Sequence, residues 1–164
     1  MKYVFAGIAL VAIFLLIVQG GPLFYPPIEI PSPGQTQEWR TIELRGQTIH
    51  IAVADTESTR QQGLGGRAGL AEDEGMLFVF PEDGEHAFWM KDMLFPIDIL
   101  WISASDRPSR DGSGDGRVVY MAENVSPDTY PQSFRPDVSA RYVLELPAGY
   151  AGAHGVSVGD IVKF

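Results

Sequence analysis

Five prolines, Pro22, Pro26, Pro27, Pro31 and Pro33, fall within twelve residues, and Gly34 closes the stretch. Each proline removes an amide donor and fixes its own φ, so neither a helix nor a sheet ladder survives that density. The stretch reads as a semi-extended spacer, and it divides the 164-residue chain into three parts. These are an N-terminal segment over 1–21, a linker over 22–37, and one globular domain over 38–164.

Residues 3–18 form an unbroken apolar run behind Met1-Lys2, ended by Gln19-Gly20-Gly21-Pro22. As a helix the run is about 24 Å long, against a hydrocarbon core of about 30 Å. Lys2 at one end and Leu23-Phe24-Tyr25 at the other are suited to the two interfaces. An uncleaved membrane anchor is expected, with a cleaved signal peptide as the alternative. Lys2 is the only basic residue before Arg40, which keeps the N-terminus inside. The domain is therefore expected to be exported, facing the periplasm or cell exterior, or secreted if the segment is cleaved.

Hydrophobic residues make up 45% of the chain and charged residues 20%, enough for the domain to bury a core. Twelve Lys+Arg against twenty-one Asp+Glu give a net charge of −9, which speaks against a nucleic-acid partner. The absence of cysteine excludes disulfides, thiolate nucleophiles and Cys-ligated zinc.

From Trp39 onward, strand patterns dominate. Residues 39–45 and 48–54 alternate around Gly46-Gln47 as a hairpin, and Asp55 or Thr56 caps a short helix through Gln62, stopped by Gly63. Residues 76–80, 87–91, 97–102, 117–124 and 140–146 predict further strands, followed by a helical turn near 150–154 and a last strand over 160–164. The expected fold is α+β and mostly β: a compact antiparallel barrel-like or rolled sheet with two short helices. Two irregular stretches, 103–116 and 126–137, read as loops.

Along the domain run Arg60-Gln61-Gln62-Gly63-Leu64 with Arg67, then Gly75-Met76-Leu77-Phe78-Val79-Phe80 and Phe88-Trp89-Met90-Lys91. Pro96-Ile97-Asp98-Ile99-Leu100, Glu123-Asn124-Val125, Tyr142-Val143-Leu144-Glu145-Leu146-Pro147-Ala148-Gly149, Gly155 and Gly159-Asp160 follow. In these residues and their order, the chain from about Ile49 onward resembles the uncharacterised "domain of unknown function 192" family. The resemblance implies a compact, largely β fold, frequently exported, with no established reaction. The chain departs from the family pattern at Gly65, where Met is usual, and at Asp92, where Asn is usual. It also lacks the cysteines that similar proteins often carry in the loop after Glu123.

Three motifs lack the context their chemistry needs. Gly155-Val156-Ser157-Val158-Gly159 spells a nucleophile elbow, but no histidine follows it, so it reads as a turn before the last strand. Asp111 to Gly116 imitates the start of a calcium loop, yet its twelfth position is Ala122, with Glu123 one step too far. His50, His86 and His154 are isolated, so no metal site is expected, and no cofactor either.

The cluster that carries potential chemistry is Arg60, Arg67, Trp89, Lys91, Asp98 and Glu123. Strand alternation puts Trp89 and Lys91 on one face, and Asp98 on the face of Leu100 and Ile102. A carboxylate in that apolar setting must be paired, or its pKa must rise. The leading reading is a non-catalytic envelope module that binds a small anionic or sugar-like ligand, or an envelope protein. Its cleft would use Trp89 as platform and Arg60, Arg67 and Lys91 as cations. The alternative is an enzyme acting on an envelope polymer with Asp98 and Glu123 as acid and base. Asp98 is expected to contact either an arginine or several backbone amides.

Overall fold

A computed structural model describes residues 40–104 and 114–164. The apolar run, the proline spacer and most of the 103–116 loop, with the first half of its calcium-like motif, lie outside them. Among the described residues no helix is long and apolar enough to cross a membrane.

The hairpin forms where the alternation places it. Strand β1 (Arg40–Leu44) pairs antiparallel with β2 (Gln47–Ala54). The chain turns at Arg45 (φ 55°) and Gly46 (φ 77°), two left-handed residues whose twist matches that of the strands. Past β2, Thr56 caps helix α1 (Glu57–Gln62), its hydroxyl accepting from Thr59 N at 3.1 Å while Thr59 Oγ1 accepts from Thr56 N at 3.0 Å. Gly63 ends the helix at φ 51°, and a Cβ there would lie 3.4 Å from the Phe78 ring. Residues 55–73 then carry the chain back so that β3 (Glu74–Gly84) pairs parallel with β2. A parallel pair requires such a crossover, and this is the one parallel pairing among the described strands.

The remaining elements are β4 (Phe88–Trp89), β5 (Ile97–Ala104), β6 (Asp115–Val125), a single 3-10 turn (Pro127–Thr129), β7 (Ser133–Phe134), β8 (Ala140–Pro147), α2 (Tyr150–His154) and β9 (Ile161–Lys163). Seven strands close a barrel in the order β1-β2-β3-β8-β5-β6-β9, and β4 with β7 makes a separate two-stranded ribbon. The mostly antiparallel barrel with two short helices is thus the observed architecture. The strand expected over 87–91 shrinks to two residues, and its partner β7 falls within a stretch that reads as loop.

Alternation sorts the core into two layers. Leu44, Ile49, Leu77, Leu100, Leu144, Val118 and Val162, drawn from all seven barrel strands, fill the interior. Ala52, Ala54, Met76, Phe78, Ile97, Ile99, Trp101 and Val143 face outward from β2, β3, β5 and β8, packed with Leu64, Met90 and Met93. On this sector the barrel wall is covered on both sides, so residues 97–102 of β5 are all buried.

Candidate functional site

The outer cover does not close completely. Between α1 with its following turn and the segment from Ala87 to Met93 lies a groove of about 970 Å³. Phe78, Phe80 and Phe88 wall it, and Trp89 stands at the mouth, 57% exposed. The wall is held edge-to-face: Phe78 to Phe88 at 4.9 Å between centroids, and Phe88 to the buried Trp101 at 5.9 Å. The Trp101 indole is pinned in turn by donating to His86 O at 2.7 Å.

Arg60 ties α1 to the wall. Its Nη1 donates to Asp55 O at 2.6 Å and Val79 O at 2.8 Å, and its guanidinium lies 5.4 Å from the Phe80 centroid. Lys91 Nζ sits 4.0 Å from Asp92 Oδ2, an exposed pair worth little to stability. Asp92 adopts φ 58°, a left-handed conformation that Asp tolerates better than most residues.

The floor carries a group that the sequence reading did not single out. Glu145 lies on β8, in register with Met76 of β3 on one side and Ile99 of β5 on the other. Its side chain therefore shares their outward face. It is 5% exposed, and its Oε2 has no hydrogen-bond partner. Burial pushes its pKa up to about 8, so at neutral pH it is mostly a carboxylic acid, with one donor and remaining acceptor capacity.

The six sequence candidates divide. Arg60, Trp89 and Lys91 line the groove; Arg67, Asp98 and Glu123 do not. Asp98 is fully buried on the interior face, where, among the described residues, three backbone amides and no arginine hold it. Its Oδ1 accepts from Asn124 N at 2.7 Å and Gly149 N at 3.2 Å, and its Oδ2 accepts from Ala151 N at 2.9 Å. It thereby joins β5 to the irregular end of β6 and to the start of α2. Glu123 is exposed where the β5–β6 register shifts. Among the described residues no group of three or more His, Cys, Asp or Glu side chains is placed to hold a metal ion.

The family profile described as DUF192, Uncharacterized ACR, matches residues 40–164, the whole barrel. The chain belongs to the DUF192 family. A Sinorhizobium meliloti 1021 protein, described as a candidate transcription regulator, shares the fold at 32% identity and a TM-score of 0.66, over 76% of this chain and 92% of that one. A Novosphingobium aromaticivorans DSM 12444 protein of unknown function shares it at 25% identity and a TM-score of 0.67, over 77% of this chain and 85% of its own. No curated protein matches the sequence. The DUF192 domain thus comes with a fold and a groove, and its chemistry has to be read from the groove itself.

Proposed function

We propose that this chain is an exported binding module, tethered by its N-terminal segment, whose DUF192 domain holds a small ligand in the groove without transforming it. The observation that carries this reading is the exposed Trp89 beside a preformed aromatic trough of about 970 Å³, within the size range of ligand sites. A large aromatic side chain left in water over such a trough costs apolar exposure that a stacked ligand would remove. The reading with Asp98 and Glu123 as acid and base has less support. All three hydrogen bonds to the Asp98 carboxylate serve the backbone, and neither residue lines the groove. The regulator description of the Sinorhizobium protein finds no support in a chain of net charge −9.

Calorimetric titration of the full chain with cell-wall sugar fragments and anionic metabolites tests the binding reading. Trp89→Ala should weaken the ligand that binds by about tenfold or more, in the range of a buried aromatic contact, with little change in melting temperature. Absence of binding across the panel, or binding indifferent to Trp89, would sink it. Export has its own check. A reporter that works only outside the cytoplasm, fused after Phe164, should be active, and activity from a cytoplasm-only reporter instead overturns it.

A further inference from the structure

The groove presents two cations and two anions besides Glu145: Arg60 and Lys91, Glu57 and Asp92. Their formal charges cancel. Arg60 Nη1 is also taken up by two carbonyl oxygens, and Lys91 has Asp92 as its neighbour at 4.0 Å. An anionic ligand would therefore meet no surplus of positive charge. Glu145 on the floor cannot offer its own charge either, since among the described residues an ionised carboxylate between Met76 and Ile99 has no ion-pair partner to offset its desolvation. What the floor offers instead is a neutral carboxyl, 5% exposed, whose Oε2 is unpaired and covered by its neighbours. Buried polar atoms are satisfied in the great majority of folded proteins, so an orphan on a groove floor marks a place where something else completes the bond.

Resting on the binding reading above, we infer that the groove takes a neutral pyranose sugar and that Glu145 is the residue that selects it. A small shift of the side chain on binding uncovers the carboxyl, which then donates one hydrogen bond to the sugar and accepts another. Trp89 and the phenylalanine wall cover the apolar C–H face of the ring, while the hydroxyls on its edge reach the floor. Anionic sugars are disfavoured because their carboxylate would lose water in a groove whose formal charges already cancel, with no surplus cation to replace it. Ionising Glu145 removes the donor and places a charge beside the sugar, so affinity falls as pH rises through the value near 8 that burial sets. His86, stacked behind Phe80, is held below its ordinary value by burial and stays neutral across that window.

The test is calorimetric titration of the full chain with neutral disaccharides, cellobiose and N,N′-diacetylchitobiose, and with their uronic-acid counterparts. It is run at about pH 7 and about pH 9.5, either side of Glu145's value. Wild type should bind a neutral disaccharide at the lower pH and lose affinity about tenfold per unit above about pH 8. Glu145→Gln keeps a donor and an acceptor but cannot ionise, so it should bind within about threefold of wild type and show no loss at high pH. Glu145→Leu removes both and suits its apolar neighbours. It should fold at least as stably, as its melting temperature will show, and bind about tenfold or more weakly at both pH values. Tighter binding of the uronic acids, or equal binding by Glu145→Leu, overturns the inference. If Trp89→Ala weakens binding while the Glu145 variants do not, the inference fails and the binding reading stands. If no sugar binds but another ligand of the wider panel does, the same division holds. If nothing binds, both fail.

Discussion

Glu145→Gln should abolish a fall in stability that wild type shows between about pH 5 and pH 8, and should leave the variant the more stable protein at the alkaline end. The folded-state pKa is raised to about 8 from an ordinary 4.5, with burial as the cause. Between those two values the folded chain holds a proton that the unfolded chain has released. Stability from this group is therefore fully present below about pH 4.5 and is lost as pH rises toward 8, after which the curve levels. The shift caps the effect at about 5 kcal/mol, and rearrangement or water entry around an ionised Glu145 reduces it. The measurement is urea unfolding of both proteins across this range, taken as the difference between them so that other groups cancel. His86, whose pKa is lowered, acts in the opposite sense, its contribution declining as pH falls below 6.5, and it is common to both. Parallel stability curves would show that Glu145 is ionised in the fold, and the neutral floor of the groove would go with it.

Asp98→Ala should cost about 3–5 kcal/mol, since it strands three backbone N–H groups inside the protein. Those amides come from Asn124, Gly149 and Ala151, so one carboxylate joins parts of the chain 26, 51 and 53 residues away. The start of α2 depends on it directly, because Gly149 as N-cap has no side chain to serve that helix's first amides. Asp98→Asn retains one acceptor oxygen and should lose roughly half as much. Denaturant midpoints at constant slope measure both, and the alanine variant should melt roughly 10 °C or more below wild type. A catalytic Asp98 would behave otherwise, since removing strained active-site charge is often neutral or stabilising. An alanine variant that melts with wild type would remove the structural account of this residue.

Asp98 and Glu145 also show how far the sequence reaches. Both sit in the middle of apolar strands, Asp98 between Ile97 and Ile99, Glu145 between Leu144 and Leu146. Alternation places Asp98 with Leu100 and Ile102, and the barrel interior is where all three lie. Its partners were not legible in the same way. A nearby arginine is the natural expectation from composition, whereas the amides that hold it are recruited from the far end of the chain by barrel closure.

For Glu145 the same alternation misleads. With Leu144 and Leu146 directed inward, Val143 and Glu145 fall on the opposite face, and in an antiparallel sheet that face is ordinarily wet. Only the crossover of residues 55–73 and the segment around Met90 and Met93 make it a second interior. The two local patterns that build this cover, the Thr56–Gly63 capped helix and the short β4, are visible as elements but say nothing of which strands they lie against.

Sequence by itself therefore determined the seven barrel strands, the capped helix, the hairpin turn, the barrel-like class and the family, because period-two alternation, caps and turn residues act over a few neighbours. It also marked Arg60, Trp89 and Lys91 as residues to watch. Tertiary structure alone decided that these three meet over Glu145 and that Asp98 and Glu123 stand apart from them. The reason is physical: a carboxyl's role follows from what covers it and from the dielectric around it, and both are supplied by segments dozens of residues away, brought together only when the barrel closes.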